Sequence, residues 1–236
     1  MTAPNEPQPA IELIEAIATA RTIRRYHFDP IPEEHLRKIL WAATRAPSGT
    51  NRQPFRFLVL RDGERARRAK ALLGEAFRSG WRVKAEQEGW TTADLSEDTR
   101  RGRTLAAMQF FVDHFERIPV VVVPCYVRYR ELVHQEGASI FPACQNLFLA
   151  ARALGYGACF SGWHLLVERE LRDLLEIPEG VELSLCITLG RPRGNHGPVR
   201  RLPLRETVFE ERWGEPAAWA EDPPGTRISR GGGPPR

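Results

Sequence analysis

Arginine is the residue type whose spacing points to chemistry. Arg21-Thr22-Ile23-Arg24-Arg25-Tyr26 places three guanidinium groups within five positions, directly after a helical stretch. A guanidinium is a rigid fork of N–H donors that meets phosphate oxygens two at a time. The segment therefore reads as a clamp for a phosphate and one further polar group, or equally, taken alone, as a solvated basic turn. A second segment, Ala46-Pro47-Ser48-Gly49-Thr50-Asn51-Arg52-Gln53-Pro54, is rich in small residues that let a ligand plane approach the backbone. Ser48, Asn51 and Gln53 add oriented hydrogen-bonding groups. A third stretch runs from Ala138 to Gly162, and Arg200-Arg201-Leu202-Pro203 follows late in the chain.

Other chemistries are poorly represented. There is no G-x-S-x-G elbow, no H-E-x-x-H pair and no phosphate-binding G-K-[ST] loop. The histidines at 27, 35, 114, 134, 164 and 196 show no ligand pairing, and Cys125, Cys144, Cys159 and Cys186 form no C-x-x-C pair. These cysteines read as buried thiols. Gly155-Tyr156-Gly157 begins like a dinucleotide fingerprint, but Phe160 stands at the third glycine position and the segment follows a helix. Side-chain catalysis is not advertised, so a bound cofactor is expected to carry the reaction.

The chain has 236 residues, a formal charge of +4 and a pI near 9.1. Lys38, Lys70 and Lys84 are its only lysines. The basic excess is modest, spread along the chain and without a reader motif, which favours a small anionic ligand over nucleic acid. The longest apolar run, Ile118 to Val127, is too short to span a bilayer. The first residues carry Glu6, Glu12 and Glu15 and no basic n-region, so the expected location is the cytoplasm.

Residues 1–9, with three prolines, are expected to form a loose arm. Ile11, Ile14, Ile17 and Ala18 recur at helical spacing over Ala10 to Ala20. A second helix opens at Pro32 and buries Leu36, Ile39, Leu40 and Ala43. Phe55 to Leu60 reads as a strand and Arg65 to Phe77 as a helix. Residues 80–102 hold Trp81 and Trp90 among many charges without clean periodicity; they are expected to leave the core, partly helical, as a substrate lid or an interface. Leu105 to Phe115 is helical, and Pro119 to Val127 is a strand buried on both faces. Ala143 to Leu154 forms a helix stopped at Gly155, Leu171 to Leu175 a short helix, and Val181 to Leu189 another strand. The tail, counted from residue 216 and most evident from Pro223, reads as disordered. About four strands with several helices predict an α+β domain over 10–215: a small mixed sheet wrapped by helices in three layers.

Four motifs occur in order: R-T-I-R-R-Y, A-P-S-G-T-N-R-Q-P-F, Q-N-L-F-L-A-A-R-A-L-G-Y-G, and a late G-R-P followed by R-R-L-P. In these the chain resembles the FMN-dependent nitroreductase family over roughly residues 10 to 210. The resemblance implies a three-layer α/β/α fold and an intertwined homodimer with FMN at the interface. Arg21, Thr22, Ile23 and Arg25 would hold the phosphate and ribityl chain, joined by Arg201. Ile23 stands where the family usually has serine, at the loss of a side-chain contact. Pro47, Ser48, Gly49 and Asn51 would touch the flavin of the partner subunit, and Ser161 and Gly162 would lie at the flavin edge near N5. NAD(P)H would be the transient donor and a nitroaromatic, quinone or similar molecule the acceptor, in a ping-pong cycle carried by flavin N5. No metal and no catalytic side chain is required. A flavin-storage protein remains open at this point. So does a specialised branch performing flavin fragmentation, reductive dehalogenation or deazaflavin maturation.

Overall fold

The strand Val120–Val127 (β2) organises the molecule. Its sequence VVVVPCYV is buried along all but the last residue, as expected of a strand covered on both faces. The computed structural model describes residues 11–91, 94–95, 98–224 and 227–228. Around β2 lie Phe55–Leu60 (β1), Val181–Leu183 (β4), Cys186–Gly190 (β5) and Gly157–Ser161 (β3), in the order β1-β2-β5-β3 with β4 also on β2. These ladders are antiparallel, and Thr22 runs parallel beside Ala158 on the outer edge of β3.

The expected strand from Val181 to Leu189 is two strands. Leu183 faces Cys125 and Ile187 faces Val122, so the register slips by one residue between them. Pro124 lies opposite this slip and has no N–H for the ladder. Its carbonyl instead accepts from Ser184 N at 2.9 Å, which is the signature of a bulge.

Alternation along β2 splits the core in two. Val121, Val123 and Cys125 face one layer with Phe77, Phe111 and Leu171; Val120, Val122 and Tyr126 face the other with Ile39, Ala43 and Leu147. The first layer contains helices Glu64–Gln87 (α3), Arg100–Asp113 (α4) and Glu168–Leu175 (α6). The second contains Glu33–Ala43 (α2) and Phe141–Ala153 (α5). The result is the three-layer α+β arrangement.

Helix α3 departs from expectation by continuing through Gly80 to Gln87. Trp81 extends the buried row of Leu73 and Phe77 at helical spacing and is itself 7% exposed. Gly80 is there for close approach: a Cβ at this position would lie 3.0 Å from the Trp163 ring. Trp81 therefore belongs to a core helix, and beyond Gln87 the described Trp90 and Leu95 still pack against that core rather than leaving it as expected. Residues 92–93 and 96–97 lie outside the described residues, as do 1–10.

Helix Leu13–Thr19 (α1) buries Ala16 but leaves Leu13, Ile14 and Ile17 exposed. The stretch expected to be disordered from residue 216 is ordered in its first part. Ala217 and Ala220 are buried, and Ala217 N donates to Val208 O at 3.3 Å. Arg227–Ile228 (β7) pairs in parallel with Arg200–Arg201 (β6). Residues 225–226 and 229–236 lie outside the described residues. Among the described residues no helix is long and apolar enough to cross a membrane.

Candidate active site

The arginine segment is fixed to the exposed edge of β3. Ile23 N donates to Ala158 O at 2.9 Å, and the Tyr26 hydroxyl lies 2.5 Å from Ile23 O and 2.9 Å from Thr188 Oγ1. Tyr26 is buried, and burial pushes its phenol well above its usual range, keeping it a neutral donor. Ile23 turns its side chain inward onto Gly157, where an added Cβ would sit 2.6 Å from that of Ile23. Arg21 points outward, with Nη1 at 3.7 Å from the Cβ position of Gly197. Val199 N donates to Ala18 O at 2.8 Å, which ties the chain just before β6 to the end of α1.

Arg21, Arg25, Arg200 and Arg201 have no carboxylate in ion-pair range among the described residues, whereas thirteen other such contacts are formed elsewhere. Exposed guanidiniums held by backbone pairing and left without counter-charge are the donor set that a terminal phosphate requires. The residues present thus fit an FMN phosphate. Arg25 has a different neighbourhood. Its guanidinium carbon lies 5.5 Å from the Phe110 ring centroid, in a stack where Arg193 lies 5.1 Å from the same ring.

The loop before β1 is anchored by buried Ala46 and Pro54 and leaves Pro47, Gly49 and Asn51 exposed. Gly49 N donates to Ser139 Oγ at 3.1 Å, and Gln53 N to Ser48 Oγ at 2.9 Å. Thr50, Asn51 and Gln53 take φ of 50°, 54° and 51°, a costly conformation for residues with a Cβ. Behind the loop, buried Glu136 accepts from Tyr126, from Tyr129 at 3.0 Å and from Arg130 at 2.5 Å. The Tyr126 hydroxyl, with Arg130 and Tyr129, holds the Glu136 carboxyl below its usual range.

Clamp and loop occupy opposite corners of the sheet. Thr22 is level with Val120 through Ala158 and Leu189, while Phe55 is level with Tyr126. At ~3.3 Å per residue and ~4.8 Å per strand, the two corners are on the order of 25 Å apart within one chain.

Ser161 ends β3 and Gly162 follows it; among the described residues, no atom beyond its chain neighbours lies within 4 Å of where a Gly162 Cβ would stand. Ser161 also borders a cavity of about 200 Å³ walled by Phe77, Trp81, Trp90, Phe111 and Trp163. Trp81 and Trp90 lie 5.2 Å apart, and Trp81 Nε1 donates to Gln109 Oε1 at 2.8 Å. Arg24 and Lys84 also face the cavity. Burial pushes the adjoining Cys159 thiol up to about 11, so it is uncharged at neutral pH.

A model of the nitroreductase family matches residues 17–191, which contain the clamp, the loop and the end of β3. The chain belongs to the nitroreductase family. Among relatives of this nitroreductase-family chain, a candidate NADH dehydrogenase/NAD(P)H nitroreductase of Archaeoglobus fulgidus is 31% identical over 184 residues, covering 77% of this chain and 86% of the relative. The NADH dehydrogenase of Thermus thermophilus is 29% identical over 217 residues, covering 85% and 97%. The crystal structure of a candidate nitroreductase of Desulfovibrio desulfuricans in complex with FMN superposes with a TM-score of 0.60 at 29% identity, covering 85% of this chain and 97% of that one.

The structure ties Val199, two residues before Arg201, to Ala18, three residues before Arg21, and sets Ser161, Trp81 and Trp90 around one cavity. It does not bring either group to Pro47–Asn51 of the same chain. Arg24, Lys84 and Ser139 were not singled out from the sequence. Arg24 stood inside the arginine cluster, and Lys84 was one of three lysines. Nothing local marked Ser139, whose bond to Gly49 spans 90 positions.

Proposed function

We propose that this chain is an FMN-dependent oxidoreductase that transfers electrons from NAD(P)H to a small organic acceptor, acting as a homodimer with the cofactor at the interface. The observation that carries this reading is a pair of exposed arginines with no carboxylate in ion-pair range among the described residues, Arg21 on the segment bridged to the edge of β3 and Arg201 on β6. The FMN held by the Desulfovibrio relative supports the choice of cofactor. When bound, FMN supplies a two-electron relay at N5 that serves donor and acceptor in alternate visits.

The protein's part is to bind and orient. Arg21 and Arg201 neutralise the phosphate, and Thr22 offers its exposed hydroxyl to the adjoining chain of the cofactor. Ile23 contributes backbone only, because its side chain is spent on Gly157. Ser161 and Gly162 bring backbone groups to the ring edge. The partner's copy of Pro47, Ser48, Gly49 and Asn51 completes the site, which accounts for a loop held in strained φ far from its own chain's clamp. Exposed Leu13, Ile14 and Ile17 on α1 supply apolar surface for such an association. Trp81 and Trp90 wall the acceptor's entry.

The deciding experiment is chemical. The purified protein is expected to be yellow and to release about one FMN per chain on heating, identified by chromatography, and to oxidise NAD(P)H with a quinone or nitroaromatic. FAD, or no flavin even after FMN is supplied, overturns the reading. Bound FMN without NAD(P)H turnover selects storage instead.

A further inference from the structure

Arg25 belongs to a second gathering of arginines. Arg193 N donates to Arg25 O and His27 N to Arg191 O, each at 2.8 Å, so the loop after β5 runs beside the arginine segment. Arg25 thereby comes over α4, with its guanidinium carbon 5.5 Å from the Phe110 ring centroid. Two more guanidiniums reach the same place from other parts of the chain. Arg193 lies 5.1 Å from both Phe28 and Phe110, and Arg117, in the Phe115–Arg117 turn after α4, lies 3.9 Å from Phe28.

The rings beneath them form one platform. Phe110 stacks on His114 at 4.2 Å, and Phe28 lies 6.4 Å from Phe110 with their planes 7° apart. His114 is fixed by Nδ1, 2.9 Å from Phe110 O. The rings are half-buried and the three arginines exposed. A guanidinium held against an aromatic face keeps its orientation and still presents its N–H edge to solvent.

The neighbouring carboxylates are engaged with other partners. Asp29 pairs with Arg191, Glu116 pairs with Arg78 at 2.8 Å, and Asp113 accepts from Gln109 at 2.8 Å. Arg25, Arg117 and Arg193 have no carboxylate in ion-pair range among the described residues. Three like charges over one ring platform repel each other, and an anion seated among them relieves that repulsion. Arg117 and Arg193 already lie over the rings, so guanidinium edges are what an anion meets. A carboxylate fills one such fork. A phosphate carries three free oxygens and close to two charges, enough to engage several forks together.

We propose that Arg25, Arg117 and Arg193 form a second anion site, for a phosphate group, separate from the Arg21 and Arg201 pair. It stands apart from the FMN reading, which uses none of these three residues. Two sources share the chemistry: free phosphate, and the phosphate by which NADPH exceeds NADH.

The test uses the full chain saturated with FMN and carrying isotope-labelled arginine, so that side-chain Nε–H resonances are followed one by one. Above pH ~7, where phosphate carries close to two charges, inorganic phosphate is expected to move the signals of Arg25, Arg117 and Arg193 together. The expected dissociation constant is on the order of 1 mM, the effect of about two charge-assisted hydrogen bonds. Acetate at matched ionic strength should leave the three signals in place. Arg117→Gln and Arg193→Gln should each weaken phosphate about 10-fold, with FMN content and circular dichroism unchanged. NADP+ and NAD+ separate the sources. Movement by NADP+ at lower concentration than phosphate, with none by NAD+, assigns the site to the phosphate of the nicotinamide donor; equal or weaker movement by NADP+ assigns it to free phosphate. Signals that neither phosphate nor NADP+ moves, movement by acetate as strong as by phosphate, or a constant unaltered in both variants overturns the proposal. Arg21 reports on the other pair in the same spectra, so a chain that holds no flavin removes the FMN reading and leaves this test intact.

Discussion

Arg21 has the most to lose from truncation, because its guanidinium has no ion-pair partner among the described residues and the segment is held by neighbours that do not depend on it. Arg21→Ala is expected to weaken FMN binding about 10- to 100-fold, the loss of a charge-assisted contact of roughly 1.5–3 kcal/mol, read by flavin fluorescence titration with the fold intact by circular dichroism. An unchanged constant would put the phosphate elsewhere. His164 makes a different kind of residue-scale statement. It is fully buried, with Nε2 3.2 Å from Leu183 O, and burial holds its pKa below the usual imidazole value. His196 is shifted in the same direction, also by burial. In the unfolded chain these imidazoles take a proton near pH ~6.5; in the folded chain they resist it to lower pH. Their contribution to stability is therefore complete above about 6.5 and lost as pH falls toward the depressed folded values. Thermal midpoints should fall between pH 7 and 5, and His164→Gln should flatten that dependence; an unaltered slope would assign the acid sensitivity to other groups.

At the scale of elements, the clamp is a segment bridged to the edge of β3, and its position depends on a glycine in that strand. Gly157 lies directly beneath Ile23, so Gly157→Ala must push the arginine segment away from the sheet or distort β3. A destabilisation of about 1–3 kcal/mol is expected from such overpacking, measured by chemical denaturation, together with weakened FMN binding although no cofactor contact is altered. Normal stability and affinity would mean that the segment can shift freely. The loop before β1 is held differently, by Ser139 and by the Glu136 group behind it. Its three left-handed residues without glycine show that neighbours, not local preference, determine its shape.

At the scale of the molecule, the arginine segment and the Pro47–Asn51 loop lie at opposite corners of one sheet, so the proposed site needs two chains. A dimer of about twice 26.8 kDa is expected by light scattering. Ile14→Glu, which places a charge on the exposed face of α1, should dissociate it and lower flavin occupancy at the same time. A monomer that retains full FMN would contradict the shared site.

The binary pattern of the chain determined the helices α2 and α5, the doubly buried strand β2 and the three-layer class, because burial on one or two faces leaves a period in the sequence. The order of the motifs also carried the family resemblance, from which Arg21, the Pro47–Asn51 loop and the Ser161–Gly162 turn are expected to share one site. Tertiary structure alone decided the rest. Helix α3 passes through Gly80 because the Trp163 ring fills the space a side chain would take, and Trp163 is 83 positions away. The late strand breaks at Ser184 because Pro124 of another strand cannot donate a hydrogen bond. Arg25 faces Phe110, whereas Arg24 faces the cavity, a distinction of side-chain direction within one run of arginines. The cavity lining likewise gathers Arg24, Lys84 and six aromatic side chains from segments far apart in sequence, and no spacing along the chain records that they meet.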